Sequence, residues 1–264
     1  MRRSALASPW LALVLIQPAI AAGYTLPPAG ARYDSQLGGA YAPPAGTQIV
    51  SRDRQAPAAP GLYNICYINA FQTQPQDVTW WLANHPQLVL RRDDIPVEDP
   101  NWPGEYLLDT STAENRAGLL AIVSNWIDDC AKNGFDAIEP DNLDTYSRSG
   151  GLLSIDDNLA FARAFIAHAH VLGLAVAQKN SLDLAERGPQ AGFDFAITES
   201  CQVWDECGAY IESFGDYVLD IEYTDTDRGN FDRVCASYGE NISVILRDRN
   251  LTTPADTAYV YQAC

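Results

Sequence analysis

The sequence predicts an α/β fold: a single-domain (β/α)8, or TIM, barrel held by disulfides. Three observations carry that prediction. Short apolar runs alternate with longer stretches of helical periodicity, the pattern of βαβ units around a parallel sheet. Eight such units fit into about 240 residues, which suits a closed barrel better than an open sheet. No Gly-x-Gly-x-x-Gly follows the first strand, which weakens the dinucleotide-binding alternative. With 47% hydrophobic and 19% charged residues in 264, the chain can bury one sizeable core.

The elements follow in order. "MRRSALASPWLALVLIQPAIAAGY" sets Arg2 and Arg3 before an apolar stretch and small residues at Ala19, Ala21 and Ala22. That is the layout of a secretory signal over residues 1–22, cut near Ala22, with residues 23–264 left as the barrel domain. Pro9 and Pro18 interrupt the apolar run, which falls short of the ~20 residues a membrane span needs. The next stretch, "GYTLPPAGARYDSQLGGAYAPPAG", reads as an irregular lead-in rich in Gly, Pro and Ala. Strands are expected at 47–52, 62–68, 88–91 or 106–109, 135–139, 174–178, 193–198, 217–222 and 243–247. The two short central runs count as one barrel strand plus an extension. Residues 113–134 form a helix with Leu119, Ile122, Val123, Trp126 and Ile127 on one face and Gly134 as its stop. A second helix spans 154–173, opened by Ser154 with Asp157 three residues on, much like a capping box, and ended by Gly173.

Export agrees with the cysteines. Cys66, Cys130, Cys201, Cys207, Cys235 and Cys264 form an even set, suited to an oxidising compartment. Cys201 and Cys207 are close enough to close a small loop, and Cys264 would tie down the terminus. The expected pairs are Cys201–Cys207, Cys235–Cys264 and, by elimination, Cys66–Cys130. No CxxC pair or Cys/His cluster supports zinc, and no metal or other cofactor is expected. The net charge is −17, and loss of a leader holding Arg2 and Arg3 makes it two units more negative. Such a field repels nucleic acid and anionic membranes and attracts cationic partners; it also serves solubility. His85, His168 and His170 are assigned no role. Asn241-Ile-Ser243 and Asn250-Leu-Thr252 fit the N-glycosylation pattern, which matters only in a eukaryotic host.

Active sites of such barrels sit at the C-terminal ends of the strands, and acids recur there. "GFDAIEPDNLD" places Glu139, Asp141 and Asp144 at and just beyond one strand end. Lys179 and Asn180 follow "LAVAQ", Glu199 follows "FDFAIT", Asp220 and Glu222 close "YVLDIE", Asp53 follows "IVSR" and Asp109 ends "YLLD". Paired carboxylates without a nucleophilic Ser or Cys suit glycoside hydrolysis. One protonates the leaving oxygen; the other is nucleophile or activates water. Crowding by a second carboxylate raises the pKa of one acid and keeps it protonated near neutral pH. Tyr67, Tyr146, Trp204 and Tyr223 lie near the strand ends and can serve as sugar platforms or as packing.

Several segments together resemble a known family: "YDSQLG" (33–38), "ICY" (65–67), "GFDAIEPDNLDTY" (134–146), "GLAVAQKN" (173–180), "FDFAITESC" (193–201) with "EC" (206–207), and "IEY" (221–223). In this order they are similar to glycoside hydrolase family 114, the endo-α-1,4-polygalactosaminidases, over roughly residues 31 to 247. The resemblance implies an endo-acting (β/α)8 hydrolase, secreted or periplasmic, that cuts α-1,4-linked galactosamine-containing exopolysaccharide such as that of biofilms. Its motifs fall on Asp141 and Glu199 as the catalytic pair, with Glu222 as understudy for Glu199. Asp53, Tyr67, Glu139, Asn142, Asp144, Tyr146, Lys179, Asn180, Trp204, Glu222 and Tyr223 are the expected substrate contacts. "CYINAFQTQ" departs from the family run after CY, where a Gly-containing turn is common. The partner expected is a cationic polysaccharide met by a monomer, with no nucleic acid or membrane. Two other readings stand beside this one: a non-catalytic carbohydrate-binding barrel, and an enolase-type enzyme with Glu139, Asp141 and Glu199 as magnesium ligands and Lys179 as base.

Overall fold

A computed structural model describes residues 23–184 and 186–264; the expected leader, residues 1–22, lies outside the described residues. Eight parallel strands run in chain order around the barrel: β1 (Tyr33–Ser35), β2 (Ile49–Asp53), β3 (Tyr63–Asn69), β4 (Ala137–Asp141), β5 (Ala175–Lys179), β6 (Phe195–Glu199), β7 (Val218–Tyr223) and β8 (Ser243–Arg247). A short β9 (Tyr261–Ala263) pairs antiparallel with β8. β1 and β8 meet at a seam bridged by side chains. Arg247, fully buried, donates to Asp34 Oδ1 at 3.0 Å and to the Ser35 carbonyl, while the Tyr261 hydroxyl donates to the Tyr33 carbonyl at 2.9 Å.

Alternation along the strands divides the core in two. Ile49, Ile65, Ala137, Ala175, Ala177, Phe195, Ile197, Leu219, Ile221 and Ile245 fill the barrel interior, and every one is odd-numbered. The even-numbered Ile138, Val176, Ala196, Val218, Val244 and Leu246 face outward onto the helices. Those helices are α1 (Val78–Asn84), α2 (Ala113–Lys132), α3 (Thr145–Arg148), α4 (Ile155–Val171), α5 (Arg187–Ala191), α6 (Cys207–Phe214) and α7 (Gly229–Tyr238). Leu119, Val123 and Ile127 of α2 are buried as its periodicity predicts. Ser154 and Asp157 form the capping box at the start of α4. Among the described residues, the β1–β2 and β2–β3 connections carry no helix. All three expected disulfides are present, Cys66–Cys130, Cys201–Cys207 and Cys235–Cys264.

Two strand expectations are corrected. Residues 88–91 and 106–109 supply no barrel strand, because β3 pairs directly with β4, Ile65 opposite Ala137. They bridge to each other instead, Val89 opposite Leu108, and Arg91–Arg92 pairs with Ile95–Pro96 in a small hairpin. Leu90, Leu107 and Leu153 make a separate small core beneath this excursion. The eighth strand is β1, inside the segment read as irregular; its register with β2, Tyr33 opposite Ile49, is what defines it.

Candidate active site

The interior parity continues to the strand ends and selects the site. Beyond the apolar layers the same face presents Tyr67 and Asn69 from β3, Glu139 and Asp141 from β4, Lys179 from β5, Glu199 from β6 and Tyr223 from β7. All but Glu139 line an open cleft of about 270 Å³ at the barrel mouth. The chain turns sharply as it leaves these strands: Asn142, Asn180 and Ser200 all have positive φ, a conformation that Asn tolerates better than most residues.

Lys179 organises the carboxylates. Its Nζ, on a side chain 3% exposed, lies 2.9 Å from Glu139 Oε1 and 3.6 Å from both Asp141 Oδ2 and Glu199 Oε2. Asp141 and Glu199, from different strands, therefore converge on one ammonium, and these two oxygens stand no more than twice that distance apart. Burial alone would lower the Lys179 pKa, but Asp141, Glu139 and Glu199 outweigh it and hold the group charged well above its ordinary range. An ammonium whose charged form is favoured in this way is a poor base, and it already stands among the three carboxylates. Both points disfavour the enolase-type reading, in which Lys179 is the base and a cation takes that place. Beneath it, Glu139 is fully buried and also accepts from Ser51 Oγ at 2.8 Å.

Asp141 and Glu199 are each oriented by neutral donors. The Tyr67 hydroxyl donates to Asp141 Oδ2 at 2.8 Å, and the Asn142 amide to Oδ1 at 2.8 Å. Asn180 Nδ2 donates to Glu199 Oε2 at 2.9 Å, its Oδ1 accepts from the Glu199 amide at 2.8 Å, and the Tyr223 hydroxyl donates to Oε1. Burial pushes the Glu199 pKa up, but Lys179 and the Tyr223 and Asn180 hydrogen bonds outweigh it and hold it below the usual range. Both side chains stay open to the cleft, Asp141 21% and Glu199 30% exposed.

The other expected contacts divide. Tyr67, Asn142, Asp144, Lys179, Asn180 and Tyr223 line the cleft; Glu139 supports it from below. Glu222 does not reach it. As an even-numbered residue of β7 it faces outward, 1% exposed, and accepts from the Gln202 amide at 2.9 Å. Beside it Asp220 is fully buried, and burial with the Glu222 charge holds its pKa well above the ordinary range. Asp53 bends away to the Gln55 amide, Tyr146 donates to Asp183 Oδ2, and Trp204 is an exposed loop residue; none lines the cleft. Sequence reasoning missed Asn69, Trp102, Glu105, Arg148 and Arg249. Arg148 clamps Asp99 and Asp144 and donates to Asn142 Oδ1. Arg249 stacks 3.8 Å over the Tyr223 ring and pairs with Asp225. It follows β8 by two residues, so the strand-end rule applied to cations would have found it.

A barrel whose mouth brings two open carboxylates onto one charged lysine, inside a polar cleft, is built as a glycoside hydrolase. The comparisons agree. The model of glycoside-hydrolase family GH114 matches residues 16–264, and the chain belongs to that family. In fold it is similar to Aspergillus fumigatus Ega3, solved in complex with galactosamine, with a TM-score of 0.71 and 22% identity over 91% of this chain and 99% of that one. It is also similar to the glycoside hydrolase domain of PelA from Pseudomonas aeruginosa, with a TM-score of 0.55 and 14% identity over 87% of this chain and 97% of that one. No curated protein sequence matches it.

Proposed function

We propose that the protein is a secreted, endo-acting glycoside hydrolase that cleaves α-1,4-linked galactosamine-containing exopolysaccharide, with Asp141 and Glu199 as the carboxylate pair. The observation that carries this is their convergence on Lys179 in the open cleft, each partly exposed and each aimed by a tyrosine hydroxyl. Glycosidic cleavage needs a proton for the leaving oxygen and a negative charge facing the anomeric carbon. Of the carboxylates lining the cleft, these two converge on Lys179 and are placed to supply both. Lys179 and the tyrosines position them and limit their mutual repulsion. The likeness to a structure holding galactosamine supports the sugar. Secretion is supported by the leader-like sequence and by three disulfides. Among the described residues no helix is long and apolar enough to cross a membrane.

Incubation with purified galactosamine-rich exopolysaccharide, with the products sized by chromatography, tests the reading. A rapid shift of the whole distribution to shorter chains is expected. An unchanged distribution would favour a binding barrel that cleaves nothing.

A further inference from the structure

The four carboxylates lining the cleft are not equally served by cations. Asp141 and Glu199 share Lys179, and Asp144 pairs with Arg148. Glu105 belongs to no ion pair among the described residues. Its Oε2 accepts from two neutral amides, Gln72 Nε2 at 2.8 Å and Asn69 Nδ2 at 3.4 Å, and Oε1 accepts no hydrogen bond from the described residues. Burial raises its pKa, and the like charges of Asp141 and Asp99 add to that rise. A half-buried carboxylate without a counter-charge is costly to hold, yet two side-chain amides are aligned to hold this one.

Its placement is equally specific. Glu105 closes a turn that begins at Trp102, its amide donating to the Trp102 carbonyl at 3.1 Å. The same four residues thus bring an exposed indole and a bare carboxylate to one wall of the cleft. Asn69 joins that wall to the reacting centre, because its Oδ1 accepts from Asn142 Nδ2 at 2.9 Å and Asn142 adjoins Asp141.

We propose that Glu105 is a specificity-determining residue: it binds the ammonium group of an amino-sugar unit seated beside the Asp141–Glu199 pair, and so selects a de-N-acetylated unit there. The inference rests on the hydrolase reading above. A sugar ammonium supplies the counter-charge the protein leaves out, in a charge-assisted hydrogen bond. An acetamide supplies none, and would cover the carboxylate while leaving it unpaired. The difference corresponds to roughly tenfold to a hundredfold in discrimination.

Defined α-1,4-linked galactosamine oligomers, fully de-N-acetylated and fully N-acetylated, provide the test with wild type and Glu105→Gln. Wild type is expected to prefer the amine form at least tenfold in kcat/KM. Glu105→Gln is expected to lose most of that preference, mainly through a higher KM on the amine form, so that the ratio of kcat/KM between the two forms falls toward one. A variant that slows both substrates by the same factor would show that Glu105 only supports the loop, and would overturn the proposal. So would a wild-type protein that cleaves both forms equally, an outcome that needs no variant to fold. Failure of wild type to cleave either oligomer would instead overturn the hydrolase reading, so the two failures are distinct.

Discussion

Replacing Lys179 by Met removes the one charge that three carboxylates share. The cost concentrates on Glu139, which is fully buried at 2.9 Å, because Asp141 and Glu199 keep access to solvent. Stranding one member of a buried pair costs about 3–5 kcal/mol. In a chain of this size that corresponds to a Tm lower by roughly 6–20 °C. The deficit should depend on pH. The Lys179 pKa is raised in the folded protein, so its own contribution is fully present below the unfolded value near 10.4 and does not change between pH 5 and 7. The Glu139 pKa is already above its ordinary range, and without the ammonium it rises further. Lowering the pH from 7 to 5 therefore favours the protonated form of the stranded carboxyl, and the deficit shrinks. Denaturant titrations of wild type, Lys179→Met and Lys179→Met/Glu139→Gln at both pH values measure this. The double variant should recover most of the lost stability, while activity stays lost because Asp141 and Glu199 still repel. A Lys179→Met protein as stable as wild type, or one with the same deficit at both pH values and no rescue, would refute the reasoning.

Two further outcomes are expected. Asp34, Glu105, Glu139, Glu206, Asp220 and Glu222 all have pKa values raised by burial, against lowered values for Glu199, Asp225 and Asp227. Raised acids bind more protons folded than unfolded, so stability should rise as pH falls from 7 toward the ordinary carboxylate range near 4; a Tm falling steadily from pH 7 to 5 would contradict this. With a net charge of −17, long-range attraction should speed capture of a cationic polymer. Cleavage of de-N-acetylated polysaccharide should therefore slow as salt rises, and a flat profile would reduce the charge to a solubility feature.

Most of the barrel was legible because its strands are buried on both faces and read as apolar runs. β1 was not, since three residues between Gly- and Pro-rich segments carry no periodicity; the strand exists through its pairing with Ile49–Ser51. Residues 88–91 and 106–109 misled for the converse reason, as apolar extended segments that pair with each other outside the barrel. At the site, Asp141, Lys179 and Glu199 could be picked out because they end strands. Glu222 also ends a strand, and only parity, which places it opposite to the inward Ile221 and Tyr223, keeps it from the cleft. Glu105 comes from a loop and Arg148 from the end of the short α3, neither at a strand end, though "NWPGEY" signals the turn that presents Glu105.

The central claim is that Asp141 and Glu199 act on one glycosidic bond. Measuring kcat/KM for Asp141→Asn and Glu199→Gln on a defined de-N-acetylated oligomer, beside wild type and with unfolding curves confirming the fold, tests it most directly. Each variant should lose roughly 10²–10⁴-fold or more, the contribution of a positioned acid or base. Either variant turning over within a few-fold of wild type would contradict the account.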